Sequence, residues 1–220
     1  MSSHHIVRDD QEPALIIANG QSCSQELLGQ LLEWSPLVVV LDSAMERVMQ
    51  LDLKVDVLLG DFDRNFDPEK YRTSQFPIEI IHATDQNKTD LEKAFDYLIA
   101  RNIPAVNVIW ATGFRADHTI SNLTSIAQYR DLLKIVMLDD HSKIFLLPRI
   151  FQKWYMANTI ISLIPIGEAT GISTKNLHYP LKNDNLRLGY KNGNSNHASK
   201  DGVVHIEHFA GDLLLMECLD

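Results

Sequence analysis

The sequence predicts an α/β N-terminal domain with a mostly parallel sheet, followed by a smaller all-β (sandwich-like) C-terminal domain. Two observations predict it. Up to about residue 145, short aliphatic runs alternate with stretches of helical period, the signature of βαβ units. Beyond that point the helical period fades, and short β-rich runs are separated by Gly, Asn, Asp and Pro. The expected division is therefore residues 1–145 and residues 146–220. A segment of roughly 70 residues is small for a free-standing core, so it should lean on the first domain or on a second chain.

Each element has its own reason. Ala14–Ala18 reads as a strand, and Leu27, Leu28, Leu31 and Leu32 stripe a helix near Ser24–Trp34. Leu37–Leu41 is nearly all aliphatic, which predicts a strand buried on both faces. Ser43 and Glu46 fit a capping box opening the next helix. Val55–Leu59, Ile78–His82, Val106–Ala111 and Ile135–Leu138 continue the strands. Between them, Leu91, Ala94, Phe95, Leu98 and Ile99 mark a helix that Thr89 and Glu92 cap. A further helix presents Ile120, Leu123 and Ala127 as its apolar face. In the C-terminal part, Thr159–Pro165, Val203–Ile206 and Leu213–Glu217 read as strands, and Gly189–Gly202 as a long polar loop.

The net charge of −9 argues against a nucleic-acid partner. Cys23 and Cys218 are too few and too far apart for a disulfide scaffold. There is no run of membrane-spanning length and no signal-peptide core, so no membrane and a cytoplasmic location are expected. Neither G-x-x-x-x-G-K-[ST] nor G-x-G-x-x-G is present. The nine histidines form no zinc-like set; His205 and His208 would face opposite sides of a strand.

Three acidic clusters carry the chemistry, each where an extended run gives way to a turn or helix. They are Gly60-Asp61-Phe62-Asp63, Asp85-Gln86-Asn87-Lys88-Thr89-Asp90 and Gly113-Phe114-Arg115-Ala116-Asp117-His118. At the ends of successive strands they would converge on one crevice. Carboxylates so gathered repel, by about 4 kcal/mol for a pair roughly 4 Å apart at an effective dielectric of about 20. A cation must offset that, and a divalent metal carrying a phosphate ester is the leading candidate.

Each cluster also has a plain explanation. Asp61 and Asp63 point to one face if the chain stays extended, with Phe62 turned to the core, but Gly-Asp also favours a solvated turn. Capping accounts for Thr89 and Glu92, and the helix dipole partly for Asp90; alternatively that helix N-terminus holds a phosphate. Asp117 either caps its helix, with Arg115 as a surface partner worth little, or accepts a hydrogen bond from a substrate amine while Arg115 binds phosphate. His118 is an acid or base by residue type alone.

In this order the motifs resemble the thiamin pyrophosphokinase family. Its pattern runs from an early Asp-Gly turn through G-D-F-D-S, D-Q-x-x-T-D and G-G-R-x-D-H to a late G-x-S-N loop. Here they stand as Asp42-Ser43, Gly60–Arg64, Asp85–Asp90, Gly113–His118 and Gly193–Asn196, through nearly the whole chain. The resemblance implies an α/β domain with a β-sandwich, a homodimer with active sites at the interface, and transfer of pyrophosphate from ATP to thiamin. It implies Mg2+ held by Asp61, Asp63 and Asp90, with Arg115 as a catalytic contact. Asp42, Asp85, Gln86, Thr89, Asp117, His118 and Asn122 would serve the substrates, as would Ser195 and Asn196 from the other subunit. Three positions depart from the pattern. Ser43 stands where the early turn has glycine, Phe114 replaces the second glycine of the third motif, and Arg64 replaces a serine.

Two other readings compete. A haloacid-dehalogenase-like phosphatase would use Asp61 as nucleophile, Asp63 as acid and Asp139-Asp140 as the downstream pair, but the fit fails at Asn65, where that family normally has Thr or Val, and it ignores Thr89-Asp90 and the β-domain. A regulator that binds thiamin or nucleotide without turnover would not need the retained Asp61, Asp63 and Asp90.

Overall fold

The computed structural model describes residues 13–62 and 66–219. The chain divides into two compact units, Met1–Ser125 with Tyr129–Asp139 and Ile126–Gln128 with Asp140–Asp220.

The first unit holds β1 (Ala14–Ile17), β2 (Leu37–Leu41), β3 (Val57–Gly60), β4 (Glu79–His82), β5 (Ala105–Ile109) and β6 (Lys134–Leu138). Their order is β4-β3-β2-β1-β5-β6, and every neighbouring pair is parallel. β1, β3 and β5 are buried at every position, as aliphatic strands covered on both faces should be. The helices are α1 (Gln25–Leu32), α2 (Met45–Met49), α3 (Asp90–Ala100) and α4 (Ala116–Gln128). Ser24 caps α1 by accepting from the Leu27 N–H. Thr89 and Glu92 form the reciprocal capping box of α3 that their spacing predicts.

Three local expectations fail for identifiable reasons. Ser43 does not cap α2; it lies inside a tight 3-10 turn, Asp42–Ala44, and the helix starts after Ala44 with no side-chain cap. The Asp42 carboxylate draws that turn in by accepting from the Ser43 and Phe62 N–H groups. Phe62 has a left-handed backbone (φ 53°), so the chain is not extended there and period-two geometry does not apply. Its ring stacks on Phe66 and packs against His82 instead of entering the core. On α4, Ile120 is 64% exposed, while Asn122, Ser125, Ile126 and Ala127 are buried. The helix is rotated so that the Asn122 amide donates to the Ala111 carbonyl at 2.8 Å.

β1 is the topological centre. The chain works outward from it to β4, then crosses back to lay β5 on its other side. The crevice beyond the carboxyl ends of β1 and β5 is where such sheets bind ligands. The two strand exits are tied there by backbone bonds, Ala18 N–H to Ile109, Gly20 N–H to Trp110 and Gln21 N–H to Thr112. Gly20 fits because it has no Cβ: one would stand 2.2 Å from the Thr112 oxygen and 2.5 Å from that of Trp110.

The second unit is antiparallel: β7 (Ser142–Leu146), β8 (Ile150–Tyr155), β9 (Ile160–Lys175), β10 (Asp184–Arg187), β11 (Gly193–His197), β12 (Gly202–Glu207) and β13 (Ala210–Cys218). β9 is the spine. Its first half pairs β13 and β11, and its second half pairs β10 and β12; β8 extends β12 and β7 extends β13. Ile161, Leu163, Ile172, Leu186, Val204, Ile206, Leu213 and Leu215 pack into one core. The stretch expected to be a polar loop contains β11, a strand without hydrophobic alternation that is held by its pairing to β9. His208 lies beyond β12 and not in a strand with His205; it is buried, with its Nδ1 3.0 Å from Arg149.

Candidate active site

A cavity of about 490 Å³ occupies the crevice of the first unit. It is lined from the exits of β1 (Ala18, Asn19, Gly20), β2 (Leu41, Ser43), β3 (Asp61) and β5 (Ala111, Gly113, Phe114, Arg115). The start of α3 adds Gln86, Lys88, Thr89, Asp90, Leu91 and Lys93, and α4 adds His118 and Asn122. The three acidic motifs therefore each place residues in one space. Seven of the sequence-derived positions line it: Asp61, Gln86, Thr89, Asp90, Arg115, His118 and Asn122.

The remaining positions stand elsewhere. Asp63 lies outside the described residues. Asp42 is buried behind the cavity, with both carboxylate oxygens accepting backbone N–H groups. Burial pushes its carboxyl above the ordinary value, and the Asp90 and Asp61 charges push the same way, against the bonds from Phe62 and Ser43. That mutual effect places three carboxylates in one electrostatic neighbourhood. Gly60 permits it, because a Cβ there would lie 2.2 Å from the Asp42 carboxyl. Asp85 is exposed and closes a turn by accepting from the Asn87 N–H.

Asp117 is not the cap of α4; Arg115 is the N-cap residue, and Asp117 sits in the first turn. Arg115 donates to it through Nε and Nη2. That pair lowers the Asp117 carboxyl from 3.8 to about 2. A depressed folded-state value means that the contribution to stability is present above the ordinary value and is lost as pH falls through about 2. In Arg115→Met, the Asp117 carboxyl followed by NMR is expected to titrate near its ordinary value; a midpoint still near 2 would assign the shift to the helix terminus.

In the second unit, Ser195 is exposed with φ 55° on β11, and its N–H donates to Ser162 Oγ. Asn196 is buried, its amide committed to the backbone N–H and carbonyl of Tyr179. In this unit Asn196 therefore shapes the backbone around Tyr179.

Lys93 is the residue that motif reading missed. Its side chain is 6% exposed, and its Nζ is 2.9 Å from Asp90 Oδ1. It is a buried cation built into the acidic neighbourhood. Its signal was available in the sequence: a lysine three residues after Asp90, one turn along the same helix face. Asn19 and Gly20 also line the cavity, and Arg47 holds them through its bonds to Asn19 Oδ1 and the Gly20 carbonyl. No sequence pattern marked them. Among the described residues, no three His, Cys, Asp or Glu side chains are grouped as metal ligands.

A phosphatase arrangement does not fit this geometry. Asp61 follows β3 and Asp139 follows β6, with β2, β1 and β5 between them. Four strand spacings, roughly 19 Å, separate them. Asp139 is also engaged by the Thr112 hydroxyl at 2.8 Å.

Fold and site together define a class: a parallel α/β unit with a charged crevice at its switch point, joined to an antiparallel β unit. Residues 28–137 match the family model for the thiamin pyrophosphokinase catalytic domain, and residues 149–211 match that for its vitamin B1 binding domain. The chain belongs to the thiamin pyrophosphokinase family. It is 29% identical to thiamine pyrophosphokinase 1 of Oryza sativa subsp. japonica over 169 residues, covering 70% of this chain. It is 26% identical to thiamine pyrophosphokinase of Bacillus subtilis (strain 168) over 140 residues, covering 59% of this chain. The matched stretch spans 63% of the length of each of these relatives. The fold is shared with the crystal structure of thiamine pyrophosphokinase from Bacillus subtilis, at TM-score 0.77 and 22% identity over 94% of this chain and 99% of that one. It is also shared with thiamin pyrophosphokinase from Candida albicans, at TM-score 0.80 and 16% identity over 94% of this chain and 90% of that one.

Proposed function

We propose that the protein transfers the pyrophosphoryl group of ATP to the hydroxyl of thiamin, giving thiamin diphosphate and AMP, with Mg2+ as cofactor. The observation that carries this reading is the convergence of Asp61, Gln86, Thr89, Asp90 and Arg115 on one cavity at the switch point of the sheet. The family to which the chain belongs supports it.

The donor set suits Mg2+, which is typically held by one or two carboxylates together with substrate phosphates. Asp61 and Asp90 are the carboxylates at hand, and Asp63 completes the proposed set from outside the described residues. Bound there, the ion would supply charge neutralisation on the phosphate chain. The protein's own part is positioning and electrostatics, which dominate phosphoryl-type transfer. Lys93 fixes the orientation of Asp90. The N-terminus of α3, beside Gln86 and Thr89, offers the positive end of its dipole to phosphate oxygens. Arg115, steadied by Asp117, offsets the charge that develops as the bond from β-phosphorus to the AMP oxygen breaks. The new bond joins the thiamin oxygen to β-phosphorus, and the hydroxyl proton leaves to solvent.

Residues 1–145 form the ATP- and metal-binding catalytic domain in this reading, and residues 146–220 the thiamin-binding and dimerisation domain. Ser195 and Asn196 serve thiamin, and a homodimer completes each site at its interface. Asp42, Asp85, His118 and Asn122 support the substrate site, and the enzyme works in the cytoplasm. Incubation with ATP, Mg2+ and thiamin is expected to release AMP and thiamin diphosphate in equal amounts. Release of inorganic phosphate through a trapped phospho-aspartate at Asp61 would overturn the assignment. Tight thiamin binding without turnover would leave a regulator.

A further inference from the structure

Phe114 departs from the family pattern, and its setting is unusual. It is the one bulky apolar side chain left to solvent among the described residues lining the cavity, 72% exposed. Its backbone is left-handed (φ 50°), directly after Gly113 at φ 77°. A left-handed aromatic residue is strained, and strain of this kind persists where a site requires it. Folding gains little from so exposed a ring, so packing does not explain it.

Beneath the ring lies a cation. The Arg47 guanidinium stands 5.4 Å from the Phe114 ring and 4.4 Å from that of Trp110. Arg47 is pinned by Asn19 Oδ1, the Gly20 carbonyl and Ser22 Oγ, at 3.1, 2.9 and 2.5 Å. Trp110 is buried, so the rings and guanidinium form a layered wall anchored in the core at the β1–β5 switch point. Phe114 is the layer that reaches the cavity.

We infer that Phe114 is the stacking surface for the nucleobase of the phosphate donor, and that it sets this chain's affinity for the nucleotide. The inference rests on the proposed reading of the site. A neutral purine has a π-face that stacks on phenyl without charge cost. A permanently cationic thiazolium is disfavoured, because Arg47 already engages the ring's quadrupole and repels a second cation. Arg115, next in the chain, lies on the same cavity wall, where it meets the phosphates of a nucleotide whose base is stacked on Phe114.

The test is direct binding, measured by titration calorimetry with AMP, thiamin and inorganic tripolyphosphate on the full chain. Phe114→Gly relieves the backbone strain, and Phe114→Asn tolerates the same left-handed conformation without a ring. Both are expected to fold with an unchanged or raised melting temperature and to lose roughly tenfold in AMP affinity. Tripolyphosphate and thiamin affinities should stay within about twofold, and Phe114→Tyr should restore AMP binding. Undiminished AMP affinity in the two ring-less variants would overturn the inference while leaving the proposed reaction intact. A loss confined to thiamin would overturn it too, by moving the ring to the other substrate. Failure of the unaltered protein to bind AMP would instead remove the functional reading on which the inference rests.

Discussion

Asp90→Asn lowers thiamin-dependent AMP release by about a thousandfold while the protein keeps its fold. The substitution preserves size and leaves an oxygen to accept from Lys93 Nζ, now 2.9 Å from Asp90 Oδ1. What it removes is a negative charge in a cavity already lined by Asp61. Lys93, nearly buried, then loses its direct counter-charge. A fully buried pair broken this way would cost about 3–5 kcal/mol, but the part-exposed Asp90 side and the nearby carboxylates reduce that to about 2 kcal/mol. Turnover that stays within tenfold of the parent, with an intact melting curve, would remove Asp90 from the proposed metal set.

Gly20→Ala unfastens the crevice itself. The added methyl carbon would sit 2.2 Å from the Thr112 carbonyl oxygen and 2.5 Å from that of Trp110. Both are backbone atoms that accept from Gln21 and Gly20 in the same stitch, so neither can swing aside as a side-chain end does. Overpacking of this kind costs about 3 kcal/mol, a fall of roughly 10 °C in the melting temperature of the first unit. Substrate affinity should fall with it, because Asn19 and Ala111 are carried on the two displaced segments. A scanning calorimetry trace matching the parent's would show that β1 and β5 tolerate separation here.

The strands of the first unit were legible because aliphatic runs buried on both faces need no partner information to be recognised. The capping box at Thr89 was legible because both halves lie within one turn of chain. Ser43 shows the limit. Its local pattern matches a cap, but Asp42 reaches across to the Phe62 N–H, a partner twenty residues on, and the turn closes early. Phe62 fails for a related reason, since the left-handed kink follows from no property of its neighbours in sequence. On α4 Ala127 is buried as its period implies, but Ile120 is exposed and Asn122 is buried, where it satisfies a carbonyl just beyond β5.

The site was readable as a set of charges and only partly as a set of roles. Repulsion among the acidic motifs implied a cation, and the fold supplies one of its own in Lys93. Lys93 lies off the apolar stripe of Leu91, Ala94, Phe95 and Leu98, where a lysine passes for a surface residue. Asn196 also has a part that its motif does not signal: its amide ties the backbone at Tyr179. β11 escaped notice because a strand of Gly, Asn, Ser and His lacks the alternation by which strands are recognised.

The position of β13 has a consequence for the order in which the protein is made. In the first unit β2, β3 and β4 can each join the strand made before them as the chain emerges. The second unit cannot grow this way, because β13, the last strand in chain order, is inserted between β7 and β9. At roughly 5–20 residues per second, β7 and β9 wait several seconds on the ribosome with those edges open. Nascent chains stalled before Ala210 should therefore expose strand edges able to pair with other chains, and be chaperone clients until β13 arrives.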